Sequence, residues 1–376
     1  MNDTPIRVSR RGFLQQAGAG ALVSHAAARA AAAQQRVPEP PGRKLGWAIV
    51  GLGSLAINQI LPAFADCETS KVTALVSGSP EKARKLAIRY GVPEKNIYSY
   101  EKYDAIRDNP EIDIVYVVLP NSMHAEYTMR AARAGKHVLC EKPMANTPAE
   151  CQQMIEAARQ AQRKLMVAYR VRYEPYNQAL IKVVRDQEFG PLKVVLSDHG
   201  FNIGNPDQWR LKRAMAGGGS LMDIGIYSLN AARYVTGEEP VEVNAMEYTT
   251  PNDPRFAEVE ETINFQLRFP SGVLAQCSSS YGAPFSRIRA VGTSGWAELE
   301  PATSYRGLRM RAGTYAKVEE RIHPVVDHFA KQMDHLSQCV IDNTEPLTSG
   351  EEGLKDLTVM MAIYEAAKSG RTIKLS

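Results

Sequence analysis

The chain of 376 residues is 44% hydrophobic and 23% charged, long enough for two domains with proper cores. Its formal net charge of +4 is concentrated at the start, where Arg7, Arg10, Arg11 and Arg29 stand against Asp3; the rest is nearly neutral, which is no footprint for nucleic acid or an anionic membrane surface. The five cysteines (Cys67, Cys140, Cys151, Cys277 and Cys339) are an odd number without paired short spacings, which argues against a disulfide framework and against a metal site.

The run Ser9-Arg10-Arg11-Gly12-Phe13-Leu14-Gln15, followed by a weakly apolar Ala/Gly stretch and by Ala31-Ala32-Ala33, is what the twin-arginine export machinery reads. Residues 1–33 are therefore expected to be a signal peptide, and the mature protein is expected in the periplasm. The leader is too short and too rich in alanine to span a membrane, and no other stretch approaches a span, so no stable membrane anchor is expected. Residues 34–43 read as an extended arm, because Pro38, Pro40 and Pro41 forbid helix and favour polyproline II.

The fold proper is expected from Lys44. Apolar runs at 46–50, 72–76, 114–119, 137–140 and 164–168 alternate with amphipathic runs at 57–64, 81–90, 124–134 and 149–161. Strand and helix repeated at this pitch predict a parallel sheet with crossover helices over 44–168. After Tyr173 the texture changes. A helix over 177–185 leads to strands with strict alternation, as in Thr262-Ile263-Asn264-Phe265-Gln266-Leu267-Arg268-Phe269, joined by turns such as Pro270-Ser271-Gly272. Residues 169–376 thus predict an open, mostly antiparallel sheet with one face free to cover a site, closed by helices near 328–342 and 350–369.

Gly51-Leu52-Gly53-Ser54-Leu55-Ala56 follows the first predicted strand and opens the first helix. In that context the first glycine permits a tight turn, the second lets a pyrophosphate approach the backbone, and the helix N-terminus supplies donors and a favourable dipole. This is a dinucleotide fingerprint. The end of the second strand lacks the acidic residue that would hold ribose hydroxyls and carries Ser77-Gly78-Ser79, with Lys82, Arg84 and Lys85 beyond, which favours the 2′-phosphate of NADP. The bland reading of those cations is a solvated helix face. A nicotinamide enzyme outside the cytoplasm meets no cofactor reservoir, so each turnover must restore its own cofactor.

Gly51-Leu52-Gly53 with Asn58-Gln59-Ile60-Leu61-Pro62, then Leu119-Pro120-Asn121-Ser122 and His124, Glu141-Lys142-Pro143, and Gly217-Gly218-Gly219-Ser220-Leu221-Met222-Asp223-Ile224-Gly225-Ile226-Tyr227 together resemble the glucose-fructose oxidoreductase and inositol dehydrogenase family, most of all its glucose-fructose branch. The resemblance runs from Gly46 to about Arg371. It implies an α/β chain, with an N-terminal Rossmann dinucleotide-binding domain plus a C-terminal α+β domain whose open sheet helps to bind sugar. It places the catalytic set on Lys142, Asp223 and Tyr227, the last a tyrosine where most of the family has histidine. The implied cofactor site takes in the fingerprint with Ser77, Gly78, Lys82, Tyr100, Leu119, Pro120, Asn121, His124, Glu141, Lys142, Arg170, Trp209 and Arg210.

The residues agree with that chemistry. Asp223 and Tyr227 are i and i+4 on a helix that follows a flexible triple glycine. A free phenol of pKa ~10 is a poor base, and an ammonium such as Lys142 favours its phenolate. The implied activity is oxidation of an aldose at C1 to a lactone, with the hydride passed through retained NADP to a second sugar, a ketose or an aldose. Aldose–aldose oxidoreduction and a conventional NADP-dependent aldose dehydrogenase are the alternatives, and a non-catalytic sugar sensor is the alternative of another class. The family's open sheet face commonly pairs with another subunit, so a homo-oligomer, dimer or tetramer, is expected.

Overall fold

Six short strands, β1 (Leu45–Val50), β2 (Ser70–Val76), β3 (Ile97–Tyr98), β4 (Ile114–Val117), β5 (His137–Cys140) and β6 (Leu165–Val167), form an all-parallel sheet in the order β3-β2-β1-β4-β5-β6. All six residues of β1 and all four of β4 are buried, as strands covered by helices on both faces must be. The computed structural model describes residues 44–375; the predicted twin-arginine leader and the proline-rich arm lie outside the described residues. Helix α1 (Pro80–Tyr90) starts where the Ser79 side chain accepts the Lys82 N–H and ends on Gly91 in the left-handed region, while α2 (Asn121–Arg133) and α3 (Pro148–Gln160) make the later crossovers. Because the strand order reverses at β1 and β4, a crevice opens beyond their carboxyl ends, where open α/β sheets bind ligands.

The chain then passes through α4 (Pro175–Arg185), β7 (Leu192–Gly200) and α5 (Ile226–Thr236) into β8 (Glu242–Tyr248), β9 (Thr262–Arg268), β10 (Leu274–Ser280), β11 (Phe285–Gly292), β12 (Trp296–Leu299), β13 (Met310–Gly313) and β14 (Val318–Arg321). With β15 (Ile373–Lys374) these make a nine-stranded sheet, antiparallel except for the β7–β10 pair. Alternation sets its two faces: Ile263, Phe265 and Leu267 of β9 are buried, while Asn264, Gln266 and Arg268 are exposed. Helix α5, buried from Ile226 to Val235, lies against the inner face.

Two features go beyond the sequence pattern. Helix α6 (His328–Asp342) follows the second sheet in the chain but packs on the first: Phe329, Met333 and Leu336 join Trp47, Ile49 and Tyr116 in one core. The Trp47 indole N–H donates to Ser337 at 3.1 Å, and the Ser70 hydroxyl to Asp334 at 2.8 Å. Each large apolar side chain so buried contributes about 1.5–3 kcal/mol. Helix α7 (Gly350–Ser369) then packs on α3 and β8 and so ties the two sheets together. The second feature concerns which face meets the crevice. The inner face does so, at the ends of β7 and β11 through His199 and Ser286, whereas the free outer face carries Met246 (78% exposed) and Leu274 (43%); the expectation that the free face covers the site is corrected.

Candidate active site

A single cavity of about 1060 Å³ runs from the first βα turn to the ends of β7 and β11. Its nucleotide half is made by backbone. Gly51 has φ +97°, and a Cβ there would lie 2.2 Å from the Val118 carbonyl oxygen; a Cβ on Gly53 would meet no protein atom within 4 Å. The first glycine is thus dictated by the fold, and the second leaves a cradle open to a ligand. Gly51, Leu52, Gly53, Ser54 and Leu55 line the cavity, whereas Ala56 is buried beneath the turn and packs the helix onto the sheet, the use made of the third small position. The helix opens at Ser54 and passes at once into a π-turn, Ala56–Ile60.

At the end of β2, Ser77, Gly78, Ser79 and Lys82 line the cavity, and Tyr100 covers Gly78, whose added Cβ would meet the ring at 3.2 Å. Lys82 Nζ donates to the Leu52 carbonyl at 3.4 Å and has no carboxylate partner among the described residues. Arg84 and Lys85 point elsewhere, pairing on the surface with Glu94 at 3.4 Å and Glu81 at 2.7 Å. Of the three cations only Lys82 can meet a 2′-phosphate, and with the open cradle at Gly53 and no carboxylate at Ser77–Ser79 the residues fit NADP. Leu119, Pro120, Asn121, His124, Glu141, Trp209 and Arg210 also line the cavity. His124 is no base: both ring nitrogens lie 2.8 Å from carbonyl oxygens, of Pro143 and Leu119, and burial lowers its pKa.

The other half gathers charge. Lys142, just past β5, donates from Nζ to the Asp223 carbonyl at 2.5 Å and to Asp223 Oδ1 at 3.2 Å; Asp223 Oδ2 takes Arg210 Nε at 3.1 Å and the Tyr281 hydroxyl at 3.2 Å. Burial opposes the Lys142 ammonium, but Asp223, Tyr227 and Glu141 outweigh it and hold its pKa above the ordinary lysine value. Burial also opposes the Asp223 carboxylate, yet Lys142 and Arg210 pull its pKa down to about 2. Tyr227 stands between two cations, with Lys142 Nζ 5.0 Å and the Arg170 guanidinium 5.3 Å from its ring centroid. Its hydroxyl makes no hydrogen bond among the described residues. Arg170 is fixed by donating to the Thr303 carbonyl at 2.6 Å and by stacking on Tyr305 at 4.6 Å.

What holds Asp223 and Tyr227 differs from the expected flexible hinge. A Cβ on Gly218 would lie 2.0 Å from the Tyr364 hydroxyl, and one on Gly219 would lie 2.1 Å from the Glu260 carbonyl. The buried Glu260 carboxylate accepts the N–H of Gly219 at 2.8 Å, the N–H of Leu221 at 2.9 Å and the Tyr364 hydroxyl at 2.9 Å. These glycines are clamped by close packing, not loosened. The chain then makes a π-turn, Leu221–Gly225, before α5, so a plain i, i+4 pair is not what forms; Asp223 and Tyr227 nevertheless both face the cavity. Such π-turns recur at functional sites.

Sequence reading missed His199, Tyr281, Phe285, Thr303, Tyr305 and Phe329, of which Tyr281 supports Asp223 and the rest line the cavity with it. The one signal for them was Asp198-His199-Gly200, a polar end to an alternating strand. Among the described residues no cluster of potential ligands could hold a metal ion, the five cysteines are buried and unpaired, and no helix is long and apolar enough to cross a membrane.

Comparison with known proteins agrees with this geometry. Residues 45–169 match the family described as "Oxidoreductase family, NAD-binding Rossmann fold", and residues 177–298 match "GFO/IDH/MocA C-terminal domain". A D-xylose 1-dehydrogenase [NADP(+)] of Haloarcula marismortui is 33% identical over 88% of this chain and 92% of its own. The crystal structure of aldose-aldose oxidoreductase from Caulobacter crescentus, complexed with glycerol, is 57% identical with a TM-score of 0.87, covering 89% of this chain and all of that one. A 1,5-anhydro-D-fructose reductase of Ensifer adhaerens is 26% identical over 88% of this chain and 98% of its own. The chain belongs to the GFO/IDH/MocA oxidoreductase family, and it is an NADP-dependent oxidoreductase.

Proposed function

We propose that this enzyme oxidises an aldose at C1 to its lactone and then reduces a second aldose in the same site, acting in the periplasm after twin-arginine export. The observation that carries the proposal is the convergence of Lys142, Asp223 and Tyr227 in one cavity with the glycine turn. It is a sugar oxidoreductase acting on CH–OH groups. When bound, NADP supplies the hydride chemistry, accepting in one half-reaction and donating in the other. Tyr227 moves the proton: as the anomeric carbon is oxidised, its oxygen takes the proton of the C1 hydroxyl, and it returns that proton to the carbonyl oxygen of the second sugar as that carbon is reduced. Lys142 and Arg170 both lie against the ring and hold it in the cavity by cation–π contact. Asp223 stays ionised and holds Lys142 and Arg210 in place, and its Oδ1, with a single partner, keeps an acceptor position for a sugar hydroxyl.

An aldose as second sugar is supported by the 57% identity to the aldose-aldose oxidoreductase of Caulobacter crescentus. The exported enzyme would then need no free cofactor. The test is the absorbance of the purified, dialysed protein with no nucleotide supplied. The band of reduced nicotinamide should rise on adding glucose or xylose and vanish on adding a second aldose. A protein that emerges free of nucleotide and turns over only with added NADP would be a conventional dehydrogenase, in the manner of the D-xylose relative.

A further inference from the structure

We infer that His199 is a specificity-determining residue of the sugar half, whose Nε2 accepts a hydrogen bond from a pyranose hydroxyl other than the one oxidised. His199 is the penultimate residue of β7, fully buried, and it lines the cavity with its ring centroid 6.1 Å from that of Tyr227. Its Nδ1 lies 2.8 Å from the Ser228 hydroxyl, and that hydroxyl lies 2.9 Å from the Ser278 carbonyl. A carbonyl can only accept, and serine has one proton to give. The Ser228 proton therefore goes to Ser278, and the proton between Ser228 and His199 belongs to the imidazole. This fixes the tautomer: Nδ1 carries the hydrogen, and Nε2 is a bare lone pair.

That lone pair has no partner among the described residues. Leaving a buried acceptor unpaired costs about 1–3 kcal/mol, a cost that a donor arriving in the cavity removes. The donor is narrowly defined. It cannot be a carboxylate or a carbonyl, which have no proton, and a third cation is disfavoured beside Arg170 and Lys142. A neutral hydroxyl meets both conditions. The ring also stays neutral, because burial, with the Arg170 guanidinium nearby, pushes its pKa down to about 3. His199 therefore does not compete with Tyr227 for the transferred proton; it reads one hydroxyl of the substrate and turns away sugars that lack it.

The inference rests on the sugar lying beside Tyr227 as proposed above. The test compares kcat/KM of the full-length holoenzyme for an aldose and its 2-, 3- and 4-deoxy analogues, in the wild type, His199→Phe and His199→Gln. The wild type should reject one deoxy analogue by about tenfold to a hundredfold. His199→Phe should lose a similar factor on the parent sugar and none on that analogue, and His199→Gln, which keeps an acceptor, should restore most of the discrimination. An equal loss on every sugar, or unchanged discrimination, would overturn the inference. Should His199→Phe fail to fold, nitrogen NMR of the wild-type imidazole decides: an unprotonated Nε2 that shifts on adding the aldose supports the assignment, and a protonated Nε2 sinks it. Failure of the wild type to turn over any aldose would instead defeat the functional reading, and the NMR result stays distinct from it.

Discussion

The two halves of the cavity are built by different means. The nucleotide half is made of main chain that is local in sequence: a glycine turn after β1, a capped helix start after β2, and the ends of β4 and β5. The sugar half is made of side chains from distant segments, with Lys142 from the first sheet, Asp223 and Tyr227 from the π-turn and α5, His199 from β7, and Arg170 held by Thr303 and Tyr305. A half made of backbone is set by what a Cβ would strike, and it varies little in what it can bind. A half made of side chains can change its substrate one residue at a time without disturbing the cofactor.

The largest effect expected from that separation is at Tyr227. Tyr227→Phe should lower kcat by about 10²–10⁴ in both half-reactions, the usual worth of a positioned acid/base, while the NADP dissociation constant changes by less than about twofold. Single-turnover rates for lactone formation and for aldose reduction, with titration of the nucleotide, check it. Loss of one half-reaction alone would break the shared-proton scheme, and a large loss of NADP affinity would break the separation of the halves.

This division also decides what was legible in the chain. The fingerprint, the absent carboxylate at Ser77–Ser79 and the strand–helix alternation are local patterns, so the first sheet and its nucleotide end could be read from periodicity and turn chemistry. The set Lys142, Asp223 and Tyr227 came through a family resemblance. Spacing gave Asp223 and Tyr227 a common helix face but not the π-turn between them. Tyr281 and Tyr305 carried no local pattern and His199 only the polar end of an alternating strand, because strand ends and loops acquire meaning only when the second sheet closes on the first. The glycines at 218 and 219 read as flexible because a sequence cannot show the Glu260 and Tyr364 atoms that leave them no room.

The next effect distinguishes two glycines that a motif treats alike. Gly51→Ala puts a side chain at φ +97° and against the Val118 carbonyl, so it should cost about 1–3 kcal/mol of stability, seen as a lower denaturant midpoint. Gly53→Ala meets no protein atom within 4 Å, so the midpoint should hold within about 0.5 kcal/mol while NADP affinity drops roughly tenfold or more. Equal loss of stability in both variants would mean that the cradle is a packing feature and not a ligand site.

The smallest effect concerns three neighbouring cations. Lys82 alone lines the cavity without a carboxylate partner, whereas Arg84 and Lys85 are occupied by Glu94 and Glu81. Lys82→Ala should weaken NADP by about tenfold, some 1.4 kcal/mol, and leave NAD affinity unchanged, because one exposed cation beside a phosphate is a modest, screened contact. The gap should narrow as salt rises, whereas a hydrogen bond to the ribose would be indifferent to it. Arg84→Ala and Lys85→Ala should leave the NADP to NAD ratio where it was. If all three substitutions shift the ratio alike, selection belongs to the diffuse charge of the helix face and not to one side chain.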